Sequence, residues 1–292
     1  MYRFEIPDAK KVRVFIDTDA ACEADDPFAI AHALLTPKLI VTGIIATHYA
    51  QPDSMEKSYA AIHTLLAAMR LNPPVYRGEC WPLDASAPVS EGVAAMIAEA
   101  RRADRHPLFL LCQGALTNVA RAFAEAPDII GRVTVITIGG RPYENEQIEK
   151  SEFNFVNDVA AANAVLGSGA ELWQVPRNVY ASMRVSLAEL QRKVLPCGNS
   201  GEYLFRQMVA YNQSAGAGWT PGESWALGDS PVVGLSILPT CGTFEYRKAQ
   251  KIDAETRYTS EELGPTIRVY RDIDARFILE DFFAKLALHD PA

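Results

Sequence analysis

Apolar and polar positions follow two different periods along this chain. Compact runs rich in β-branched and aliphatic residues, Val12 to Ile16, Leu39 to Ala46, Pro74 to Tyr76, Pro107 to Cys112, Val133 to Ile138 and Glu171 to Val175, predict strands. Between them, Pro27 to Leu35, Ser54 to Arg70, Ser90 to Arg102, Leu116 to Glu125 and Asp158 to Leu166 carry apolar residues at helical spacing. Pro27 suits the first turn of its helix. Strand and helix alternate over the first 175 residues, which predicts βαβ units and a mostly parallel sheet.

The last third reads differently. Leu187 to Tyr211 is helical in pattern and a glycine-rich turn, SAGAGWTPGES, follows it. Trp225 to Leu238 predicts a helix with a strand close by, Lys251 to Arg271 alternates like a solvent-facing hairpin, and Ala275 to Leu288 closes as a helix. No repeat or low-complexity linker interrupts the chain. The expectation is an α/β protein in a single domain over residues 1–292: a mostly parallel central sheet flanked by helices, Rossmann-like in its core. Residues 187–292 form a mainly helical part packed on the sheet.

Composition narrows the partners. The 292 residues include 49% apolar and 22% charged positions, enough for a sizeable core and close to the soluble average. A formal net charge of −8 weighs against nucleic acid, whose phosphates need a basic surface, and against an anionic membrane surface. No apolar run reaches the roughly 18 residues of a bilayer span. The opening MYRFEIPDAKKVRVFID is charged throughout, without an apolar leader. Five scattered cysteines contain no C-x-x-C pair, so neither a zinc site nor a disulfide framework is indicated, and a cytoplasmic location is expected.

The chemistry concentrates in VFIDTDAACEADDPFAI, Val14 to Ile30, where Asp17, Asp19, Glu23, Asp25 and Asp26 follow the first strand. Carboxylates this close repel one another and raise each other's pKa values. A helix N-terminus relieves that by at most about 1–2 kcal/mol, whereas a hard divalent cation with oxygen ligands relieves far more. In open α/β sheets ligands also bind at the carboxyl ends of strands, where this loop is expected to lie. Two Asp patterns compete for it. The D-x-D-x-T/V motif of dehalogenase-like phosphotransferases is one, but Ala21 stands where that motif needs Thr or Val.

The other is the D-x-D-x-x-x-D-D loop of the inosine–uridine-preferring nucleoside hydrolases, which this chain resembles in four segments. Besides the acidic loop, QGALTNVARAF (Gln113 to Phe123) resembles the family's L-T-N-x-A segment, and SEFNFVNDVAAANAVL (Ser151 to Leu166) its E-F-N segment. WALGDSPVVGL (Trp225 to Leu235) resembles its late H-D-P segment, and the four occur in the family's order. The resemblance implies a calcium-dependent hydrolase of the N-glycosidic bond of ribonucleosides, commonly a homo-oligomer, dimer or tetramer. It implies that Asp19, Asp26, Asp229 and the backbone carbonyl of Thr117 bind calcium, with Asp19 also the general base toward water. Asp17 is then a support behind the ligands. Asp25, Glu152 and Asn154 are implied as binders of ribose hydroxyls.

The chain departs from that pattern in two places. Five residues, not the usual three, separate Asp19 from Asp25-Asp26, as in a branch with a longer E-A-D-D loop. That leaves the register of Asp25 and Asp26 open by one position, with Glu23 a possible substitute. Gly228 stands where many relatives carry the histidine that protonates the leaving base. His48, which follows the second strand, is the candidate replacement as a catalytic acid or as a group that binds the base, although a lone histidine at a strand end is more often structural. Upstream of E-F-N, YENEQIEK offers Asn145 or Glu146 as a further substrate contact. Trp219, Trp225 and Tyr143 are candidates to stack on the base, Trp225 foremost, although a tryptophan is more often core.

Overall fold

The computed structural model describes residues 2–144 and 150–289. Among them the strands are β1 (Val12–Thr18), β2 (Leu39–Ala46), β3 (Val75–Arg77), β4 (Leu108–Cys112), β5 (Val133–Ile138), β6 (Glu171–Val175), β7 (Arg184–Ser186), β8 (Ser224–Ala226), β9 (Phe244–Ile252) and β10 (Tyr258–Tyr270). The helices are α1 (Asp26–Leu34), α2 (Ser54–Met69), α3 (Glu91–Arg101), α4 (Thr117–Glu125), α5 (Phe153–Val156), α6 (Val159–Leu166), α7 (Arg177–Tyr180), α8 (Leu187–Lys193), α9 (Gly198–Asn212), α10 (Ser230–Ile237) and α11 (Ala275–His289). Eight strands form one sheet in the order β3-β2-β1-β4-β5-β6-β10-β9, parallel except for the antiparallel edge strand β9. β7 and β8 form a separate two-stranded ladder.

Burial explains the strand pattern. Every residue of β1 and β4 is buried, because helices cover both faces of the sheet. One core layer joins α1, α2, α9, α10 and α11 to the sheet; the other joins α3, α4 and α6. Arg13, buried at the start of β1, is tolerated because it pairs with Glu99 at 2.7 Å and donates to the His106 carbonyl. The strand order reverses between β1 and β4, the position where a parallel sheet opens a crevice at its carboxyl edge. Asp17 and Thr18 end β1, and Gln113 follows β4 there, its N–H donating to the Asp17 carbonyl at 2.8 Å.

Two features of the last third differ from the sequence pattern. The expected helix over 187–211 is broken into α8 and α9 around Pro196, which cannot continue a helix. The hairpin runs from Phe244 to Tyr270, and β10 joins β6 in parallel through Arg268–Trp173 and Val269–Gln174. It therefore extends the main sheet: Ala249, Ile252, Ile267 and Val269 are buried, and Arg268 stacks on the Trp173 ring at 4.2 Å. The alternating stretch that reads as solvent-facing is only its outer part, 259–265, which is largely exposed. Among the described residues, no helix is long and apolar enough to cross a membrane.

Gly140, behind β5, has φ +94°, and a Cβ there would lie 2.0 Å from Gln174 Nε2 and 2.5 Å from the Tyr258 hydroxyl. Gly140→Ala is therefore expected to cost about 2 kcal/mol or more in urea unfolding, from left-handed strain plus collision. Gly131→Ala, whose Cβ meets nothing within 4 Å, should stay within about 0.5 kcal/mol of the parent. Equal midpoints for the two variants would refute this account of the β5 exit.

Candidate active site

The end of β1 turns its acids to two uses. Asp17 is fully buried and its Oδ1 accepts from Asn118 Nδ2 at 2.9 Å, while Oδ2 has no protein partner. Burial pushes this carboxyl up to about 7 against the lowering pull of Asn118. Asn118, on the first turn of α4, also accepts from the Glu79 N–H at 2.8 Å, so its side chain ties β1 to the loop after β3. Asp19 lies one residue beyond the strand, backed by Gly114. A Cβ on Gly114 would stand 2.8 Å from the Asp19 carboxyl carbon and 2.8 Å from Thr47.

Asp25, Asp26 and Asp229 converge, and Asp19 lines the cavity beside them. One oxygen from each of Asp25, Asp26 and Asp229 lies within 4.8 Å of the others, and all three residues are buried. The Asp26 carboxyl accepts from the Thr18 hydroxyl and lies next to those of Asp19 and Asp229, with which it interacts electrostatically. Asp25 Oδ2 accepts from the Gly228 N–H at 2.8 Å, which joins the early loop to the late segment. Asp25 and Asp229 occupy the N-cap positions of α1 and α10 without capping them, so their carboxylates stay free for the cluster. Both helices place a proline in the first turn and aim their positive ends at the acids. After Asp19 the loop turns, closed by the Cys22 N–H on the Asp19 carbonyl at 2.7 Å.

Burial is the largest cause that raises each of these carboxyls, and mutual repulsion adds to it for Asp19, Asp25 and Asp229. Asp26 is pushed up to about 6, held lower by the hydrogen bonds it accepts, and neighbouring Glu23 up to about 7. Isolated buried carboxylates cannot all stay ionised at neutral pH. The donor set is all oxygen, buried and convergent, which fits a hard divalent cation.

The cluster floors a cavity of about 600 Å³, within the roughly 300–1,000 Å³ typical of small-molecule sites. Asn154 lines it, with Nδ2 donating to the carbonyls of Gln113 and Ile138, both at 3.0 Å. Both amide protons are thereby used, which leaves Asn154 Oδ1 as its acceptor for a ligand. Glu152 also lines the cavity, yet its oxygens take the N–H groups of Gly140, Asn154 and Phe155 and the Tyr180 hydroxyl. A carboxylate has about four acceptor sites, so Glu152 holds Tyr180 and α5 in place unless a substrate hydroxyl displaces one of these donors. Trp225 is buried at the wall with its indole N–H unpartnered, and half-exposed Trp219 packs against it at 5.1 Å between centroids.

Other candidates have different surroundings. His48 does not line the cavity: its Nδ1 accepts from the Ala50 N–H at 3.1 Å and its Nε2 meets Thr117 Oγ1 at 2.8 Å. Thr117 in turn donates to Asp158 Oδ2 at 2.7 Å, so His48 is a neutral strut, its pKa lowered by burial to about 4. Tyr143 stacks on Tyr258 at 4.0 Å, away from the acids. Asn145 and Glu146 lie outside the described residues. Gln113, lining the cavity with both amide atoms buried and unpartnered, is a candidate that sequence reading missed, because a glutamine before a helix carries no chemical signature alone.

Comparison with known proteins settles the family. The inosine-uridine preferring nucleoside hydrolase profile matches residues 14–280. The chain belongs to that family. Membership assigns it to the nucleoside N-ribosyl hydrolases. Its relatives within and near the family are distant. An uncharacterised Schizosaccharomyces pombe protein is 27% identical over 62% of this chain and 66% of its own length. A non-specific ribonucleoside hydrolase, RihC of Klebsiella pneumoniae, is 26% identical over 70% of this chain and 73% of its own. The purine-preferring ribonucleoside hydrolase of Gardnerella vaginalis has the same fold, with a TM-score of 0.75 over 95% of this chain and 99% of its own at 19% identity.

In this nucleoside hydrolase the carboxyls' raised pKa values carry a sign. Without a cation, the folded state binds more protons than the unfolded chain, so stability falls as pH rises through about 6 to 7. The chelator-treated protein is expected to melt higher at about pH 5.5 than at about pH 7.5, and calcium to raise the melting temperature more at the higher pH. Calorimetry checks this, and a melting temperature indifferent to calcium at both pH values would sink the cation reading.

Proposed function

We propose that this family member is a calcium-dependent enzyme that hydrolyses the N-glycosidic bond of ribonucleosides to ribose and free base. The convergence of Asp25, Asp26 and Asp229, with Asp19 lining the same cavity beside them, supports this reading. Asp19, Asp26 and Asp229, with the Thr117 carbonyl, are the proposed ligands, and Asp25 stands close enough to serve as one. Bound there, the ion neutralises part of the crowded charge and acidifies water. The longer E-A-D-D loop and a homo-oligomeric state, dimer or tetramer, belong to the same proposal.

The chain's own groups then divide the work. Asp19, at the floor, takes a proton from the attacking water on its carboxylate. Asp25 and Asn154 Oδ1 accept from ribose hydroxyls and fix the sugar's orientation. Positive charge developing on the ribose ring lies over the carboxylates, whose field is strong because burial excludes water. Among the described residues no histidine lines the cavity, so the leaving base is met instead by the Gln113 amide and the Trp225 indole N–H. The lack of a histidine also favours a second reading, a nucleoside-binding protein without turnover.

Purified protein with calcium is expected to release reducing sugar from at least one purine or pyrimidine nucleoside. Asp19→Asn should lower kcat by about 10²–10⁴-fold. Gln113→Ala should lower kcat/KM by about ten-fold while calcium binding, followed by calorimetry, stays as in the parent. Calcium-dependent nucleoside binding without sugar release would favour the second reading, and phosphate release from phosphomonoesters would sink both.

A further inference from the structure

Three cations line the more exposed part of the same cavity in a protein of net charge −8. Lys150, Arg177 and Arg184 all line it. Arg177 precedes Tyr180 on the short helix after β6, and Arg184 pairs with Ala226 beside Trp225, so the two guanidinium groups come from separate elements around the cavity. Neither side chain makes an ion pair or hydrogen bond with another described residue. By contrast Arg77, Arg101, Arg102, Arg206 and Arg257 each reach a carboxylate. Arg177 does lower the proton affinity of Glu23, but across more than ion-pair distance. The guanidinium groups of Arg177 and Arg184 are thus donors that no other described residue uses, beside a floor that repels anions.

We propose that this site acts on ribonucleoside 5′-monophosphates, with Arg177, Arg184 and Lys150 binding the phosphate. The inference rests on the N-ribosyl hydrolase reading above and names its substrate class. The ribose hydroxyls at C2′ and C3′ belong to the acidic floor, where a phosphate would meet carboxylates. C1′ carries the base, so the 5′ oxygen is the remaining ribose position that can place an anion beside these cations. Guanidinium groups suit it, because their paired donors match phosphate oxygens. In the reaction the water oxygen bonds to C1′ and the C1′–N bond breaks with its electron pair going to the base. One water proton ends on the base nitrogen, and the products are ribose 5-phosphate and free base. The phosphate ester stays intact and no oxidant is needed.

The test compares uridine and inosine with their 5′-monophosphates, in calcium, for the parent and for the double variant Arg177→Ala, Arg184→Ala. The monophosphates are expected to exceed the nucleosides in kcat/KM by at least about ten-fold, one charge-assisted contact's worth. That ratio should collapse toward unity in the double variant, and shrink with added salt in the parent. A nucleoside used as well as its monophosphate, or a ratio unchanged in the double variant, overturns the proposal. If no compound is hydrolysed, the hydrolase reading fails and binding decides the phosphate assignment. Stabilisation by ribose 5-phosphate but not ribose, lost in the double variant, upholds it; equal effects of the two sugars overturn it.

Discussion

The structure is organised around the cost of burying like charges together. Asp17, Asp19, Asp25, Asp26 and Asp229 are all buried at the crevice where the strand order reverses. Each would be expensive alone in a low dielectric, and together they repel. Much of the surrounding architecture reads as a response: two helix N-termini directed at the acids, hydrogen bonds from Thr18, Asn118 and Gly228, and a donor set shaped for a cation. None of these alone offsets the repulsion, which is why the cluster points to a bound ion and not to an acidic surface.

The motif segments also hold one another. Asn118 of the L-T-N stretch anchors Asp17 of the first loop, and Thr117 joins His48 to Asp158 of the third segment. Asn154 reaches back to the carbonyl of Gln113, while Asp25 receives the N–H of Gly228 from the fourth. Several residues in these motifs therefore work as struts between loops at one edge of the sheet. Glu152 and His48 are examples: residues of catalytic type whose hydrogen-bonding capacity is spent inside the protein. Such interlocking positions a site more rigidly than isolated loops can.

The unspent groups are correspondingly informative. Among the described residues, Gln113 and Trp225 present buried, unpartnered polar atoms at the cavity wall, and Arg177 and Arg184 line it without carboxylate partners. A buried polar atom left unpaired in a folded protein costs free energy that a ligand can return. Site chemistry here is thus read as much from what the protein leaves open as from what it bonds.

The sequence by itself determined the α/β alternation, the acidic loop and its place behind a buried strand, because side-chain period and strand length are local properties. It also determined the family resemblance, carried by four ordered segments. Only the tertiary structure decided that Asp229, some 200 residues away, meets Asp25 and Asp26, and that the last hairpin extends the sheet. It likewise bonded both His48 nitrogens within the protein and brought Gln113 and Arg177 to the cavity, since which atoms of a side chain are already bonded depends on neighbours distant in sequence. Residue type states what a group can do; the folded surroundings decide what remains for it to do.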